Sequence, residues 1–339
     1  MAAHGGAVKK RGEAVLEAFS KLKVVVLGDL MLDEYVFGET ARISREAPVL
    51  ILKHERTQSL PGGGANPASN AASLGARALP VGVLGLDRAG ATLLEIFREK
   101  GVDTSGIVTE EGRTTPVKIR ILAGGHNTAR QQVIRLDHEA EGAISAATEA
   151  AVLKALDARL EGAHALIISD YGNGLMTPRL LRRIRALSAA RPRLVTCVDS
   201  RYQLGSYRNI TVITPNETEA APAAGFEEYR ERDLDAIGRR LLLRTRARMV
   251  LVTRGSRGMS LFRGRRREDV PVIGPTDIVD VNGAGDSVAA CMTLALAAGA
   301  QPAEAMRLAN AAGGVAVMQR GPASVTRAQI LELLRKERR

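Results

Sequence analysis

Ala165-Leu166-Ile167-Ile168-Ser169 and Leu194-Val195-Thr196-Cys197-Val198-Asp199 are short apolar runs, and residues 178–189 between them space their apolar side chains for one face of a helix. Runs of this length, rich in β-branched residues, read as strands buried on both faces. The alternation continues on either side. Helices are predicted over 145–160, 216–224 and 231–246, with strands at Asn209 to Thr214 and Met249 to Thr253. Strands alternating with helices at this spacing predict an α/β fold: a doubly wound, mostly parallel sheet flanked by helices. Toward the N-terminus, Lys23-Val24-Val25-Val26-Leu27 ends at Gly28-Asp29 and reads as the first parallel strand. Toward the C-terminus, helices over 284–299 and 302–318 precede a charged terminal helix.

Val49 to Lys53, Thr115 to Leu122 and Gln131 to Leu136 have instead the alternating character of exposed strands. They predict a small β-sheet lid, with strands from about 35–55 and 114–137, covering a site on the main sheet. Residues 1–21 form a basic lead-in, in which Val15, Leu16, Phe19 and Leu22 are spaced for a docking helix, and 22–339 form the α/β domain.

Composition excludes several classes. No run reaches the roughly 18 apolar residues that span a bilayer, and no apolar stretch follows the N-terminal charges as in a secretory signal, so a cytoplasmic location is expected. Cys197 and Cys291 lie in apolar runs and read as buried small hydrophobes, and histidines 4, 54, 126, 138 and 164 lack the pairing of a zinc site. The formal charge of +11 suits nucleic acid, a membrane surface or a small anionic substrate. Much of it sits in exposed runs such as Arg263 to Arg267, and aromatics at 3% offer few base-stacking platforms, which argues against nucleic acid.

Four segments carry chemistry. In Pro61-Gly62-Gly63-Gly64-Ala65-Asn66-Pro67 bare backbone precedes a helix, with Asn66 expected as N-cap and Pro67 at the first helical position. A ligand approaches such a turn closely. Asp280-Val281-Asn282-Gly283-Ala284-Gly285-Asp286-Ser287 opens an apolar helix. There the N–H groups of Gly283, Ala284 and Gly285 form an anion hole for a transferring phosphoryl group, and Asp286 is placed to accept a hydroxyl proton. The competing reading makes both aspartates helix caps. A dinucleotide fingerprint is excluded because Val288 stands at its last glycine, and no phosphate-binding loop of the G-x-x-x-x-G-K type exists. Asn216 and Glu219, three apart at the start of a helix, suit a water-clad Mg²⁺, or else a capping box. Thr253-Arg254-Gly255-Ser256-Arg257-Gly258 is either a phosphate-holding turn or a plain hairpin.

Taken in order, Gly28-Asp29, Gly62 to Asn66, Asn216-x-x-Glu219, Thr253-Arg254-Gly255 and Gly283-Ala284-Gly285-Asp286 resemble the ribokinase-like (PfkB) carbohydrate kinases over residues 22–325. The resemblance implies Asp286 as catalytic base, with Gly283, Ala284 and Gly285 as anion hole. It implies ATP and Mg²⁺ as cofactors and leaves a monovalent-cation requirement open. Asn216 and Glu219 would serve the metal through water, and Thr253, Gly255, Gly258 and Asp199 the nucleotide. Asp29, Asp33, Gly63, Gly64, Asn66 and Asn70 would contact the sugar.

Within the family, Leu30 to Tyr35, Ala41 to Pro48 and Gln131 to Asp137 look like the heptose 7-phosphate kinase branch. That branch makes the heptose 1,7-bisphosphate of lipopolysaccharide cores by phosphorylating the anomeric hydroxyl. A phosphorylated substrate gives Arg42, Arg45, Arg120 and Arg135 a role, since guanidinium groups pair well with phosphate. Some relatives fuse this kinase to a nucleotidyltransferase, and no such second domain is expected here. The pattern departs in two places: Asn282 stands where Thr is usual, and Asp199-Ser200-Arg201 where the branch has Asp-Pro-Lys. Rival readings are a kinase for ribose, fructose or a hexose phosphate, and a non-catalytic sugar- or nucleic-acid-binding protein. A homodimer through the lid sheet is expected, because its exposed edges need cover.

Overall fold

Val24 to Leu27 are fully buried, and alternate side chains enter two separate apolar layers: Val24 and Val26 one, Val25 and Leu27 the other. That division is the doubly wound arrangement in miniature. The computed structural model describes residues 11–124, 130–274, 278–322 and 324–336. A helix α1 (11–18) and a short 3₁₀ turn put Val15, Leu16, Phe19 and Leu22 into the core, as the docking pattern predicts. Strand β1 (Lys23–Gly28) leads into β2 (Leu30–Ile43), β3 (Leu50–Gly63), α2 (Ala65–Ser73), β4 (Arg77–Gly85), α3 (Arg88–Glu99), β5 (Ile107–Glu110), β6 (Val117–Gly124) and β7 (Gln131–His138). Then come α4 (Ala146–Arg159), β8 (Ala165–Asp170), α5 (Pro178–Ala190), β9 (Val195–Ser200), β10 (Val212–Ile213), α6 (Glu217–Ala224), α7 (Leu234–Thr245) and β11 (Met249–Thr253). The hairpin β12 (Met259–Arg263) and β13 (Arg266–Val270) precedes α8 (Ala284–Ala297), α9 (Pro302–Ala316) and α10 (Arg327–Lys336).

The main sheet runs β13-β12-β11-β10-β9-β8-β1-β4-β5, parallel from β11 to β5, with the terminal hairpin antiparallel. Helices α2, α3, α8 and α9 cover one face, and α4 to α7 the other. Side-chain caps fix several helix starts: Asp87 accepts from Gly90, Ser145 from Thr148 and Thr177 from Leu180. The β10 strand is shorter than the expected Asn209 to Thr214. Asn209 is in the left-handed region, and the N–H groups of Thr196 and Thr211 bond each other's hydroxyls at 3.1 and 2.9 Å. Side-chain bridges there replace ladder bonds.

The lid is a second sheet, β3-β2-β6-β7, in which β2 lies parallel to β6 and the other pairs are antiparallel. Its first strand begins at Leu30 and its second runs to Gly63, longer at both ends than the expected 35–55. Polar Asp33 and Glu34 mask the strand signal, but β2 is paired on both sides, which satisfies its backbone. Because β2 leaves the C-terminal end of β1 after one residue, the lid stands over the C-terminal ends of the parallel strands. Ligands of open α/β sheets bind in that crevice. Both cysteines are buried and free, and no described helix is long and apolar enough to cross a membrane.

Candidate active site

Between the lid and the strand ends lies a cavity of about 220 Å³, and Asp286 forms part of its wall. The carboxylate is only 5% exposed. Its Oδ2 accepts a 2.8 Å bond from Asn66 Nδ2, and the Tyr171 hydroxyl donates to Oδ1 at 3.3 Å. Burial pushes the Asp286 pKa up to about 7; Asn66 and Tyr171 pull it down, while Asp33 and Glu219 push it further up. A carboxylate ionising near neutrality is suited to taking a proton from an alcohol.

Gly283 begins α8 with φ 78°, and a Cβ there would lie 2.5 Å from Asn66 Nδ2 and 2.8 Å from Pro322 Cα. Only glycine fits both the left-handed backbone and the close approach. The first bond within the helix is Ser287 N–H to Gly283 O at 3.1 Å, so the Gly285 amide precedes any helical acceptor, while the Ala284 N–H makes only a long 3.4 Å bond back to Val281 O. Free amides at the positive end of a helix suit an anion, and of the three expected anion-hole residues Gly283 lines the cavity while Ala284 and Gly285 do not. The capping alternative does not hold here, because no side chain caps α8. Asp280 instead accepts from Asn282 N–H and Nδ2 and, through its other oxygen, from Gly321 N–H. Asn282 thereby braces the loop while lining the cavity.

Four sugar-side expectations change. Helix α2 begins at Ala65, and its N-cap is Gly64 with no side-chain bond, so Asn66 is not the cap; its amide goes to Asp286 instead. Asn70 is fully buried outside the cavity: its Nδ2 donates to Asn66 Oδ1, and its Oδ1 accepts from Ser287 Oγ and Val325 N–H. Asp29 is likewise outside, its Oδ2 accepting the N–H groups of Tyr171 (2.8 Å) and Asn173 (3.3 Å). Burial, with Asp170 adding repulsion, pushes the Asp29 pKa up to about 6 against those bonds. Gly64 packs against the backbone of Gly28, where a Cβ would sit 2.8 Å from its carbonyl carbon, whereas Gly63 and Asp33 line the cavity.

The lid wall is basic. Lys118, Arg120 and Arg135 line the cavity. Arg120 pairs with Asp33 at 2.5 Å, and burial raises the Asp33 pKa in spite of that partner. Lys118 (3.2 Å) and Arg135 (3.0 Å) share Asp137. Arg42 and Arg45 are exposed at the far end of the lid and do not line the cavity. A β-strand carries its side chains to alternate faces, so Lys118, two residues before Arg120, was findable from strand periodicity. Tyr171 and Arg201 also line the cavity and were missed as site residues. Each directly follows a parallel strand, the position where α/β sites are built.

On the remaining wall stand Asp199, Arg201 and Glu219. Asn216 and Glu219 do form a capping box, each side chain bonding the other's N–H at 2.9 Å. Glu219 nevertheless faces the cavity, while Asn216 does not line it. Burial raises the pKa of Asp199, with Glu219, Asp286 and Asp170 adding to it and Arg201 opposing; burial raises Glu219 too. Two carboxylates crowded in this way fit a divalent cation. Among the described residues no group of three or more metal-ligating side chains forms a cage, so such a cation must keep water or ligand oxygens, as Mg²⁺ does. Thr253, Gly255 and Gly258 lie outside this cavity; Thr253 is bridged to Asn216, and Arg254 in that turn is tied to Glu231 and Asp269.

The model of the pfkB family of carbohydrate kinases matches residues 21–328. The chain belongs to that family. It is a carbohydrate kinase with a ribokinase-like fold. "Bifunctional protein HldE" of Geobacter sulfurreducens is 37% identical over 324 residues, covering 95% of this chain and 65% of that protein. The protein of the same name from Caulobacter sp. is 40% identical over 327 residues, covering 94% and 64%. The chain spans about two thirds of the length of these curated relatives. Among solved structures, Arabidopsis thaliana ribokinase complexed with ribose and ATP superposes with TM-score 0.71 at 21% identity, over 92% of this chain and 98% of that one. Escherichia coli phosphofructokinase-2 in complex with fructose-6-phosphate gives 0.73 at 22%, over 94% and 99%. At such identities the likeness is one of fold.

Proposed function

We propose that this kinase transfers the terminal phosphoryl group of ATP to the anomeric hydroxyl of a heptose 7-phosphate, giving the 1,7-bisphosphate. The observation that carries the reading is the pairing, across one cavity, of Asp286 at the start of α8 with the cations Lys118, Arg120 and Arg135 on the lid. A base and anion hole suit phosphoryl transfer, and cations on the facing wall suit a substrate already bearing phosphate. The motifs that look like the heptose 7-phosphate kinase branch support the choice of sugar, and the ATP- and sugar-phosphate-bound fold neighbours are in keeping with the reaction class.

Asp286 takes the proton from the sugar hydroxyl, while the amides of Gly283, Ala284 and Gly285 stabilise charge on the moving phosphoryl group. Gly63 and Asp33 orient the sugar; Lys118 and Arg135 hold its phosphate. When bound, Mg²⁺ supplies charge neutralisation on the nucleotide phosphates, and Asp199 and Glu219 would hold it with intervening water. Arg201, in place of the usual Lys, lies beside those carboxylates and serves the phosphates. Thr253, Gly255 and Gly258 belong to the nucleotide end, next to Asn216. The protein acts as a homodimer through the lid: Ile134 and Leu136, 58% and 52% exposed, alternate with cavity-facing Arg135 on β7 and need cover.

Turnover of ATP with a panel of ribose, fructose, fructose 6-phosphate and heptose 7-phosphate tests the substrate, and the position phosphorylated tests the chemistry. The highest kcat/KM should fall to heptose 7-phosphate at the anomeric oxygen. Preference for an unphosphorylated sugar would overturn the assignment of the lid cations.

A further inference from the structure

Asp29 is 4% exposed, and among the described residues no lysine or arginine offsets its charge. A buried carboxylate without a counter-charge is costly unless its hydrogen bonds do something. Its Oδ2 accepts the main-chain N–H groups of Tyr171 and Asn173, in the segment that follows β8. Its own main chain also joins the end of β8 and the lid root: Asp29 N–H donates to Ser169 O at 3.1 Å, and Asp29 O accepts from Gly64 at 2.8 Å. The segment so fixed delivers one side chain to the cavity wall beside the base: the Tyr171 hydroxyl lies 3.3 and 3.5 Å from the two oxygens of Asp286.

We propose that Tyr171 is a positioning residue for the base, its hydroxyl a second donor to the Asp286 carboxylate beside the amide of Asn66, and that Asp29 sets the place of that phenol through the main chain rather than binding sugar. The inference rests on Asp286 being the base. A donor to the ionised carboxylate stabilises it relative to the acid and leaves its remaining lone pairs aimed at the incoming hydroxyl. The charged groups that share the cavity with Asp286 are Asp33 from β2, Lys118 and Arg120 from β6, Arg135 from β7, Asp170 at the end of β8, Asp199 and Arg201 at the end of β9, and Glu219 from α6. None of these changes when Tyr171 loses its oxygen, so a shift in the titration of activity reports on Tyr171 itself.

The experiment is Tyr171→Phe in the full chain, which keeps the ring and removes only the hydroxyl, with kcat and KM measured from pH 5.5 to 9. At pH 7 kcat should fall about 5- to 10-fold, the value of one modest hydrogen bond, with KM for both substrates nearly unchanged. The acid limb of kcat should move to higher pH, so that the deficit narrows toward pH 9. Asp29→Asn should shift the limb the same way and add little when combined with Tyr171→Phe, because both act along one path. A raised sugar KM with an unmoved acid limb would make Tyr171 a substrate ligand and overturn the inference, as would a wild-type kcat and profile. Asp286→Asn separates the two levels. If it keeps full turnover, the base assignment fails; if it is inactive while Tyr171→Phe behaves as wild type, only the Tyr171 role fails.

Discussion

Asn66, in the first turn of α2, donates a 2.8 Å hydrogen bond to Asp286, in the first turn of α8, across 220 residues of sequence. The bond joins the two glycine-rich segments into one unit. Asn70 stands behind it, one helical turn on, bonding Asn66 with its amide nitrogen and Ser287 with its oxygen. Asn66→Ala removes one donor to a buried carboxylate and leaves Asn70 Nδ2 without its side-chain acceptor. We expect a kcat loss of about 10-fold and a destabilisation of roughly 1–3 kcal/mol, the usual cost of an unpaired buried polar group, measured by steady-state kinetics and denaturant unfolding.

The raised Asp286 pKa has a consequence for stability. An acid whose folded pKa lies above its unfolded one holds its proton more tightly when folded, so the folded state loses stability as pH rises from about 4 toward 7. Asp286→Asn should therefore melt several degrees higher than wild type at pH 8. The gain should shrink toward pH 5, where the wild-type carboxyl is protonated. Thermal melts at the two pH values check the sign.

Gly283→Ala meets two obstacles, the left-handed φ of 78° and a Cβ contact of 2.5 Å with Asn66 Nδ2. The expected cost is about 1–3 kcal/mol in stability. The clash falls on the donor to the base, so kcat should drop more than KM rises, which kinetics will show.

Lys118→Ala or Arg135→Ala removes a cation from the lid wall. One charge-assisted contact is worth about 1.5–3 kcal/mol, so KM for a phosphorylated sugar should rise roughly 10- to 100-fold. KM for ATP should stay near its starting value, and so should the low activity on unphosphorylated sugars. Arg42→Ala, at an exposed position outside the cavity, should leave the KM of a single protomer unchanged.

The alternation of strands and helices after residue 144 made the main sheet legible, because each run there is buried on both faces and has little polar content. The segment proposed to hold the base and anion hole was legible for a similar reason: glycine at 283 is demanded by backbone geometry, and geometry leaves a mark in sequence. Contacts between distant segments leave none. Nothing in Asn70 or Asp29 announces that their side chains are spent on Ser287 and on the N–H groups of Tyr171 and Asn173, which is why both read as sugar ligands. Asn66 looked like a cap because caps are local, whereas its partner Asp286 is not. The polar start of β2 hid a strand whose pairing on both sides only the fold reveals.

The central claim is that Asp286 accepts the proton of the attacking hydroxyl, and turnover of Asp286→Asn with ATP, Mg²⁺ and heptose 7-phosphate tests it most directly. Positioned general bases contribute about 10²- to 10⁴-fold, so kcat should fall by that factor while the protein remains folded, binds both substrates and loses the acid limb near pH 7. A folded Asp286→Asn protein with wild-type kcat and an unchanged pH profile would contradict the account.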